Sequence, residues 1–418
     1  MDIYIFGLGH IGLPLAASIG LCGKQVHGID INPSIINNIS NGTISQSEYY
    51  NGKHISKIVL ELINKKLLTV STCFIRQRNE PSVFIITVGS GMKGDISSIN
   101  AVLDNIIPVL IPQDLIIVRS TIIPGTCENI IFPRLKSTNT PIYLTYCPET
   151  ISESHAFEEF FGNNLVLAGI DEKSFAVAES FFNSIKPSHI FKASNIHTAE
   201  MVKIAQNICR DVDIAFMNEL SEATSALNVD IYELQYLANT HPRINLLSPG
   251  PGVGGYCIPN ALSYLKEALT FKKVPLELMN TARRINNEKP NKIVNFIIKT
   301  LKDSDIDLNE ASVAVIGLAM KDNCNDCRLS PALDIIHNLI KLGIKVTVYD
   351  PIVPLSYPFQ VSSFEECIKN ADCLVITARQ PNLYYDMDKI KLLTSKPLII
   401  IDTKNVFPES SDFKIYNI

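Results

Sequence analysis

The sequence predicts an α/β protein with two Rossmann-like doubly wound domains joined by a long central helix. Three observations carry this. Short apolar runs alternate with amphipathic or polar stretches through the first half of the chain, the pattern of a parallel sheet covered by helices. The same order of runs returns in outline after residue 312. Between the two halves, residues 196–228 contain neither Pro nor Gly and repeat apolar side chains at helical spacing.

In order, the strand-like runs of the first half are IYIF (3–6), QVHGID (25–30), SVFIITV (82–88), LIIVRST (115–121), IYLTY (142–146) and LVLAG (165–169). The nearly apolar stretch 3–21 imitates a membrane span or a signal peptide, but Asp2 precedes it and no Lys or Arg flanks its start. Gly7, Gly9, Gly12 and Pro14 break it where a strand would turn into a helix, so a buried strand–turn–helix is expected instead. In the segment 196–228 the helical stripe includes Met201, Ile204, Ala205, Ile208, Val212, Ala215 and Phe216. A helix of that length exceeds the needs of one domain edge and is expected to build a homodimer. A second helical stretch is expected over about 261–288, ending before Pro290. In the last part VAVIGLA (313–319) echoes IYIFGLG, KVTVYDP (345–351) echoes QVHGIDINP, DCLVITA (372–378) echoes FIITVGS, and PLIIIDTKN (397–405) echoes DLIIVRST. The expected division is a dinucleotide-binding domain at 1–195, a helical dimerisation region at 196–290 and a second Rossmann-like domain at 291–418. One continuous large sheet is the alternative, which the helical block between the halves disfavours.

At 418 residues and 46% hydrophobic content, the chain is long enough for two or three domains with substantial cores. A net charge of -5 with no basic block argues against nucleic acid as a partner. Ten cysteines without a regular framework suit a reducing cytoplasm. Cys324 and Cys327 form a CxxC, but no second pair occurs at zinc-site spacing, so no metal is expected.

Two motifs carry chemistry. Gly7-x-Gly9-x-x-Gly12 follows a predicted strand and opens a predicted helix, and Asp30 stands at the end of the next strand. In that context the glycines permit the turn and the close approach of a pyrophosphate to the helix N-terminus. A carboxylate at 30 would accept from the ribose hydroxyls and repel a 2′-phosphate, which favours NAD over NADP. The second motif is SPGPGVGGYCIPN (248–260), where Cys257 directly follows a glycine-rich loop. A thiol so presented is a candidate nucleophile toward a bound carbonyl. A tight turn with a buried Cys is the plainer alternative.

With these residues in view, the chain resembles the UDP-glucose/GDP-mannose dehydrogenase family over nearly its whole length. The carrying segments are FGLGHIGLPLA (6–16), STIIPGT (120–126), CPE (147–149), AEMVKIAQN (199–207), PGPGVGGYCIP (249–259) and GLAMKDNCNDCRLSPALDI (317–335). CPE, together with HPRINLLSPGPGVGG (241–255), is most similar to the branch acting on UDP-N-acetylhexosamines, UDP-N-acetylmannosamine above all. The resemblance implies a four-electron oxidation of a sugar C6 alcohol to a carboxylate with two NAD, through a thiohemiacetal and a thioester on a cysteine. It casts Cys257 as the nucleophile and Lys203 and Asn207, four apart on one helix face, as the groups at the reacting oxygen. Thr121 becomes a holder of the catalytic water, and Glu149 and Glu153 become candidates for base or water-positioning acid. For the cofactor it implies Gly7, Gly9, His10, Ile11, Gly12 and Asp30, with Thr87, Ser120 and Thr121, and with Lys321 and Arg328 of the DxRxSP region. For the UDP-sugar it implies Glu149, Lys203, Asn207, Arg243, Gly254, Gly255 and Lys321. Asp326, Ser330 and Pro331 complete that signature, with an ion-paired loop and a helix cap as their plainer roles.

The chain departs from the family pattern after the cysteine. Ala261 stands where the family has an aspartate, Tyr256 stands for the usual His, and His10 stands where Tyr is common. UDP-glucose 6-dehydrogenase and a homologue that binds NAD and nucleotide sugar with impaired turnover therefore stand as alternatives. A 2-hydroxy acid dehydrogenase is disfavoured by the Cys257 loop and the second nucleotide-fold unit.

Overall fold

Strand parity builds the first unit. The computed structural model describes residues 1–418 except 92–93, 153, 186–188, 395–396 and 409–411. Met1–Gln206 with Ser263–Val274 make this unit. Its sheet contains β1 (Ile3–Phe6), β2 (Val26–Ile29), β5 (Leu68–Ser71), β6 (Val83–Ile86), β7 (Leu115–Val118), β8 (Tyr143–Tyr146), β9 (Leu165–Gly169) and β10 (Ile190–Lys192); β3 (Tyr49–Tyr50) and β4 (Lys53–His54) form a separate hairpin. Ile3, Ile5, Val83, Ile85, Leu115 and Ile117 face one core, while Tyr4, Phe6, Phe84, Ile86, Ile116 and Val118 face the other. Such strands read as continuous apolar runs because both faces are covered.

The spatial order β10-β9-β8-β7-β6-β1-β2-β5 holds the six-stranded Rossmann order from the β5 edge to β8. Ligands of such sheets bind at the carboxyl ends of the strands where the order reverses, here between β1 and β6. The helix Gly12–Leu21 is buried along all but its last residue, which accounts for the membrane-like composition of the N-terminus. Among the described residues no helix is long and apolar enough to cross a membrane.

Asn207–Leu262 with Pro275–Ile418 make the second unit. Its sheet runs β12 (Lys345–Tyr349), β11 (Ser312–Ile316), β13 (Cys373–Ile376), β14 (Ile399–Asp402) and β15 (Lys414–Asn417), all parallel. This is the 2-1-3-4-5 order of the other common doubly wound sheet. Val313 and Val315 pack on Ile335, Ile336 and Leu339 on one face, and Ala314 and Ile316 join Leu374, Ile376 and Ile400 on the other. The long helix Ile196–Ala226 runs unbroken through the residue boundary between the units.

The structure corrects the sequence reading in three places. LVLAG forms β9 but pairs with β8 antiparallel, so the first sheet is mixed. An apolar run buried on both faces looks the same in either direction, and such strands are common on otherwise parallel sheets. β5, β10 and β15 are further strands that the reading did not contain. The stretch expected over 261–288 is two helices, Cys257–Ala268 and Glu277–Lys302, and Pro290 lies buried inside the second. A proline removes its own N–H and crowds the carbonyl four residues earlier, and a helix with good packing on either side can continue through it. The carbonyl of Asn286, four residues earlier, loses that donor and lies near Gly252, where a Cβ would be 3.3 Å from it.

Candidate active site

In the first unit the Gly-rich turn is held from three sides. Gly7 N–H donates to Ile29 O at 2.8 Å, and Leu8 N–H donates to Asp30 Oδ2 at 2.8 Å. Thr87 Oγ1 donates to the carbonyls of Phe6 and Gly7, at 2.9 Å each. Thr87 thus supports the turn from β6. A Cβ on Gly12 would lie 1.8 Å from Gly7 O, so the third glycine is required for the helix to close on the strand. A Cβ on Gly9 would meet nothing within 4 Å. That open side is where a pyrophosphate would approach.

His10 and Ile11 complete the turn, and the helix from Gly12 begins without a side-chain cap; Leu13 N–H donates to Gly9 O at 3.2 Å and Leu15 N–H to Ile11 O at 3.1 Å, while Pro14 brings no N–H. The second oxygen of Asp30 accepts from Asn32 N–H at 2.9 Å, and the carboxylate stays half-buried with lone pairs to spare for ribose hydroxyls. These residues fit NAD.

The STIIPGT turn leaves β7 in the same unit. Ser120 Oγ donates to Val88 O at 2.6 Å, and the Tyr146 hydroxyl donates to Ser120 O at 3.2 Å. Thr121 comes next, half-buried. Glu149 is buried and ion-paired: Arg119 Nη2 and Nε reach its Oε2 at 2.6 and 3.0 Å, and Ile151 N–H donates to Oε1 at 2.9 Å. Arg119 is itself buried, and although burial disfavours its charge, Glu149 outweighs this and holds the guanidinium protonated. Glu149 therefore braces the start of the turn through Arg119. Glu153 lies outside the described residues.

Glu200 grips the other end of the turn. Its fully buried carboxylate accepts from Gly125 N–H at 2.5 Å and from Cys127 N–H at 2.9 Å. Burial raises its pKa; the two amides, the Cys127 thiol and His197 pull the other way. Sequence reasoning missed Arg119 and Glu200. The available signals were an Arg at the exit of a buried strand and a Glu at i−3 from Lys203 and i−7 from Asn207, on one helix face.

In the second unit the Cys257 loop is seated on the loop after β11. A Cβ on Gly254 would lie 2.5 Å from Leu329 O, and one on Gly255, whose φ is +77°, would lie 2.4 Å from Met320 Sδ. Gly255 N–H donates to Arg328 O at 2.9 Å. Further back, Gly250 N–H donates to Asn218 Oδ1, Asn218 Nδ2 to Asn286 Oδ1, and Asn286 Nδ2 to Asp211, at 3.0, 2.9 and 2.8 Å. This buried chain ties the loop to two helices.

Cys257 is exposed at the first residue of the helix Cys257–Ala268. Asn207 is buried, and its Nδ2 donates to the Cys257 carbonyl at 3.4 Å. Asn207 therefore lies beside the backbone of the candidate nucleophile. Ala261, one turn beyond Cys257, is buried.

The remaining residues take plainer roles. Arg328 pairs with Asp326 at 2.5 Å, and its guanidinium lies 5.1 Å from the centre of the Tyr256 ring. Ser330 caps the helix Pro331–Lys341. Lys321 is half-buried on the same loop. Arg243 stands exposed in a turn, its N–H on His241 Nδ1 at 3.3 Å, and it joins none of the contacts around Cys257. Burial, with Asp350 and Asp326 alongside, pushes the Cys327 thiol up to about 12. Cys324 and Cys327 are both unbridged, and the described residues hold no metal-binding cluster.

A Rossmann turn with its acid, followed by a second doubly wound unit, has the form of an NAD-dependent dehydrogenase. Models of the UDP-glucose/GDP-mannose dehydrogenase family match the chain three times: the NAD binding domain at 1–186, the central domain at 197–288 and the UDP binding domain at 314–409. A UDP-N-acetyl-D-mannosamine dehydrogenase of Methanocaldococcus jannaschii is 34% identical over 99% of this chain and 95% of its own. The solved UDP-D-ManNAc dehydrogenase of Pyrococcus horikoshii superposes with a TM-score of 0.90 at 31% identity, covering 100% of this chain and 99% of its own. A UDP-N-acetyl-mannosamine dehydrogenase of Staphylococcus aureus gives 0.85 at 31%, over 100% and 98%. The chain belongs to the UDP-glucose/GDP-mannose dehydrogenase family and is an NAD-dependent oxidoreductase of nucleotide sugars.

Proposed function

We propose that this enzyme oxidises the C6 alcohol of a UDP-N-acetylhexosamine, UDP-N-acetylmannosamine first among them, to the carboxylate through covalent intermediates on Cys257. The observation that carries this is the contact of the Asn207 side-chain amide with the backbone of Cys257, whose residue is exposed at a helix start. Gly7, Gly9, His10, Ile11, Gly12 and Asp30 would hold NAD, which when bound would supply the hydride acceptor for each of the two oxidations. Cys257 Sγ bonds to C6 of the intermediate aldehyde, whose carbonyl electron pair moves onto oxygen. Lys203 and Asn207 stabilise that oxygen, one by charge and one as an amide donor. After the second oxidation a water held by Thr121 attacks the thioester carbon, and the C–S bond breaks to release the acid and the thiol.

Lys321 and Arg328 are assigned to the cofactor, Gly254, Gly255 and Lys321 to the sugar nucleotide, and Arg243 to a diphosphate, for which its planar fork is suited. The domain division at 1–195, 196–290 and 291–418, a homodimer built on the long helix and a cytoplasmic setting complete the reading. In support, Phe216 on that helix is 52% exposed, and no cysteine among the described residues is in a disulfide. The carboxylated sugar suits surface polysaccharide precursor synthesis. A second reading, impaired turnover, rests on Ala261, which cannot hold water or charge.

One experiment tests both. Purified protein given UDP-N-acetylmannosamine and NAD should form two NADH per acid, and Cys257→Ala should form no acid while still binding both ligands by calorimetry. Acid production by Cys257→Ala at the wild-type rate would refute the covalent role. NADH released early without matching acid would favour the second reading.

A further inference from the structure

The buried carboxylate of Glu200 takes no part in the chemistry above, yet it holds one end of the STIIPGT turn. Both its oxygens are spent on the backbone N–H groups of Gly125 and Cys127, at the far end of the turn that begins with Ser120 and Thr121. The near end is braced by Arg119 on Glu149 and by Ser120 on Val88. Glu200 lies on the helix that carries Lys203, three residues before it and on the same face. A charge-assisted clamp with two donors on two oxygens fixes direction as well as distance.

We propose that Glu200 is a positioning residue that indexes the Thr121 turn to the helix bearing Lys203, and so sets the water that hydrolyses the Cys257 thioester. The inference rests on the roles given to Cys257 and Thr121 above. Glutamine at 200 keeps the size of the side chain but offers one acceptor and places an NH2 against the second amide. The turn then shifts relative to Lys203, while Gly7–Gly12 and Asp30, which have their own supports, stay in place.

The step affected is hydrolysis, so Glu200→Gln should slow acid formation roughly 10- to 100-fold, as displacement of about 1 Å does in a positioned reaction. The KM for UDP-N-acetylmannosamine and the Kd for NAD should stay within about threefold. An acyl adduct at Cys257 should accumulate and be seen by mass spectrometry of the quenched enzyme. A merely structural residue would lower all steps together and accumulate nothing. Unchanged acid formation, or a slowed reaction without adduct, would overturn the proposal. If Glu200→Gln does not fold, Glu200→Asp, which keeps the charge and shortens the reach, is read by the same criteria. Amide exchange at Gly125 and Cys127 distinguishes failure of the clamp from failure of the catalytic reading. If the wild type makes no NADH from the sugar, the catalytic reading has failed. If exchange at those two amides is not faster in the variant, the clamp itself has failed.

Discussion

The two doubly wound units repeat one hydrogen-bond scheme and use it to opposite ends. In the first, Gly7 N–H bonds Ile29 O, Leu8 N–H bonds Asp30, and Thr87 Oγ1 bonds the carbonyls of Phe6 and Gly7. In the second, Gly317 N–H bonds Tyr349 O, Leu318 N–H bonds Asp350, and Thr377 Oγ1 bonds the carbonyls of Ile316 and Gly317. The strand-to-helix turn is thus the same device twice. The difference lies in the residues just beyond that shared scheme. Where the first unit has Gly9 and Gly12, the second has Ala319, which is buried, and Asp322. Asp30 keeps lone pairs exposed, whereas Asp350 is buried and also receives Gln380 Nε2 at 2.8 Å and the N–H groups of Ile352 and Val353 at 3.1 and 3.2 Å. An acid at a strand end holds the turn in both units. It is left over for a ribose only where the surroundings leave it partly unsatisfied.

The comparison breaks most sharply at Gly12. Gly12→Ala sets a methyl against Gly7 O and should cost on the order of 3 kcal/mol of stability. NAD binding should be lost with it, as denaturant unfolding and calorimetric titration will show; normal affinity would mean that the turn tolerates a side chain.

The two acids should then separate cleanly. Asp350→Ala leaves several buried N–H donors unpaired and should cost about 2–4 kcal/mol of stability while leaving NAD affinity unchanged. Asp30→Ala should do the reverse, weakening NAD by about 10- to 100-fold with a smaller loss of stability and narrowing the preference over NADP. Equal effects of the two on NAD affinity would erase the distinction between them.

The smallest change is Gly9→Ala. With nothing near the added methyl, stability should stay within about 0.5 kcal/mol. NAD should weaken by about tenfold, because the methyl occupies the path of the pyrophosphate. An unaltered Kd would place the phosphates elsewhere.

Much of the fold was legible in the residues. Unbroken apolar runs mark strands covered on both faces, and the glycine spacing with Asp30 marks the nucleotide turn, because both are local patterns with a local cause. The helix Ile196–Ala226 was legible for the same reason. The direction of β9 was not, since its apolar run is the same read either way. Nor was β15, whose KIYN is short and half-exposed and becomes a strand by pairing with β14. Lys203, Asn207 and Cys257 were found through the family motifs, but the Asn207–Cys257 contact joins residues 50 apart in sequence. Glu149 shows the same limit from the other side. Its motif marks it as an acid near the site, and only the fold reveals that Arg119 already occupies it.

Pro290 has a bearing on how this chain tolerates change. A proline within a helix is an obvious target for stabilising replacement, since it forfeits a hydrogen bond and strains the turn before it. Here Asn286 O, the carbonyl without that bond, lies close to Gly252, in the loop that leads to Cys257. The side chain of the same asparagine anchors Gly250 through Asn218. A residue with an N–H at 290 would draw that carbonyl back into the helix and tilt the asparagine with it. The gain in helical regularity would be set against the footing of the cysteine loop, so the most regular helix and the most active enzyme call for different residues at this one position.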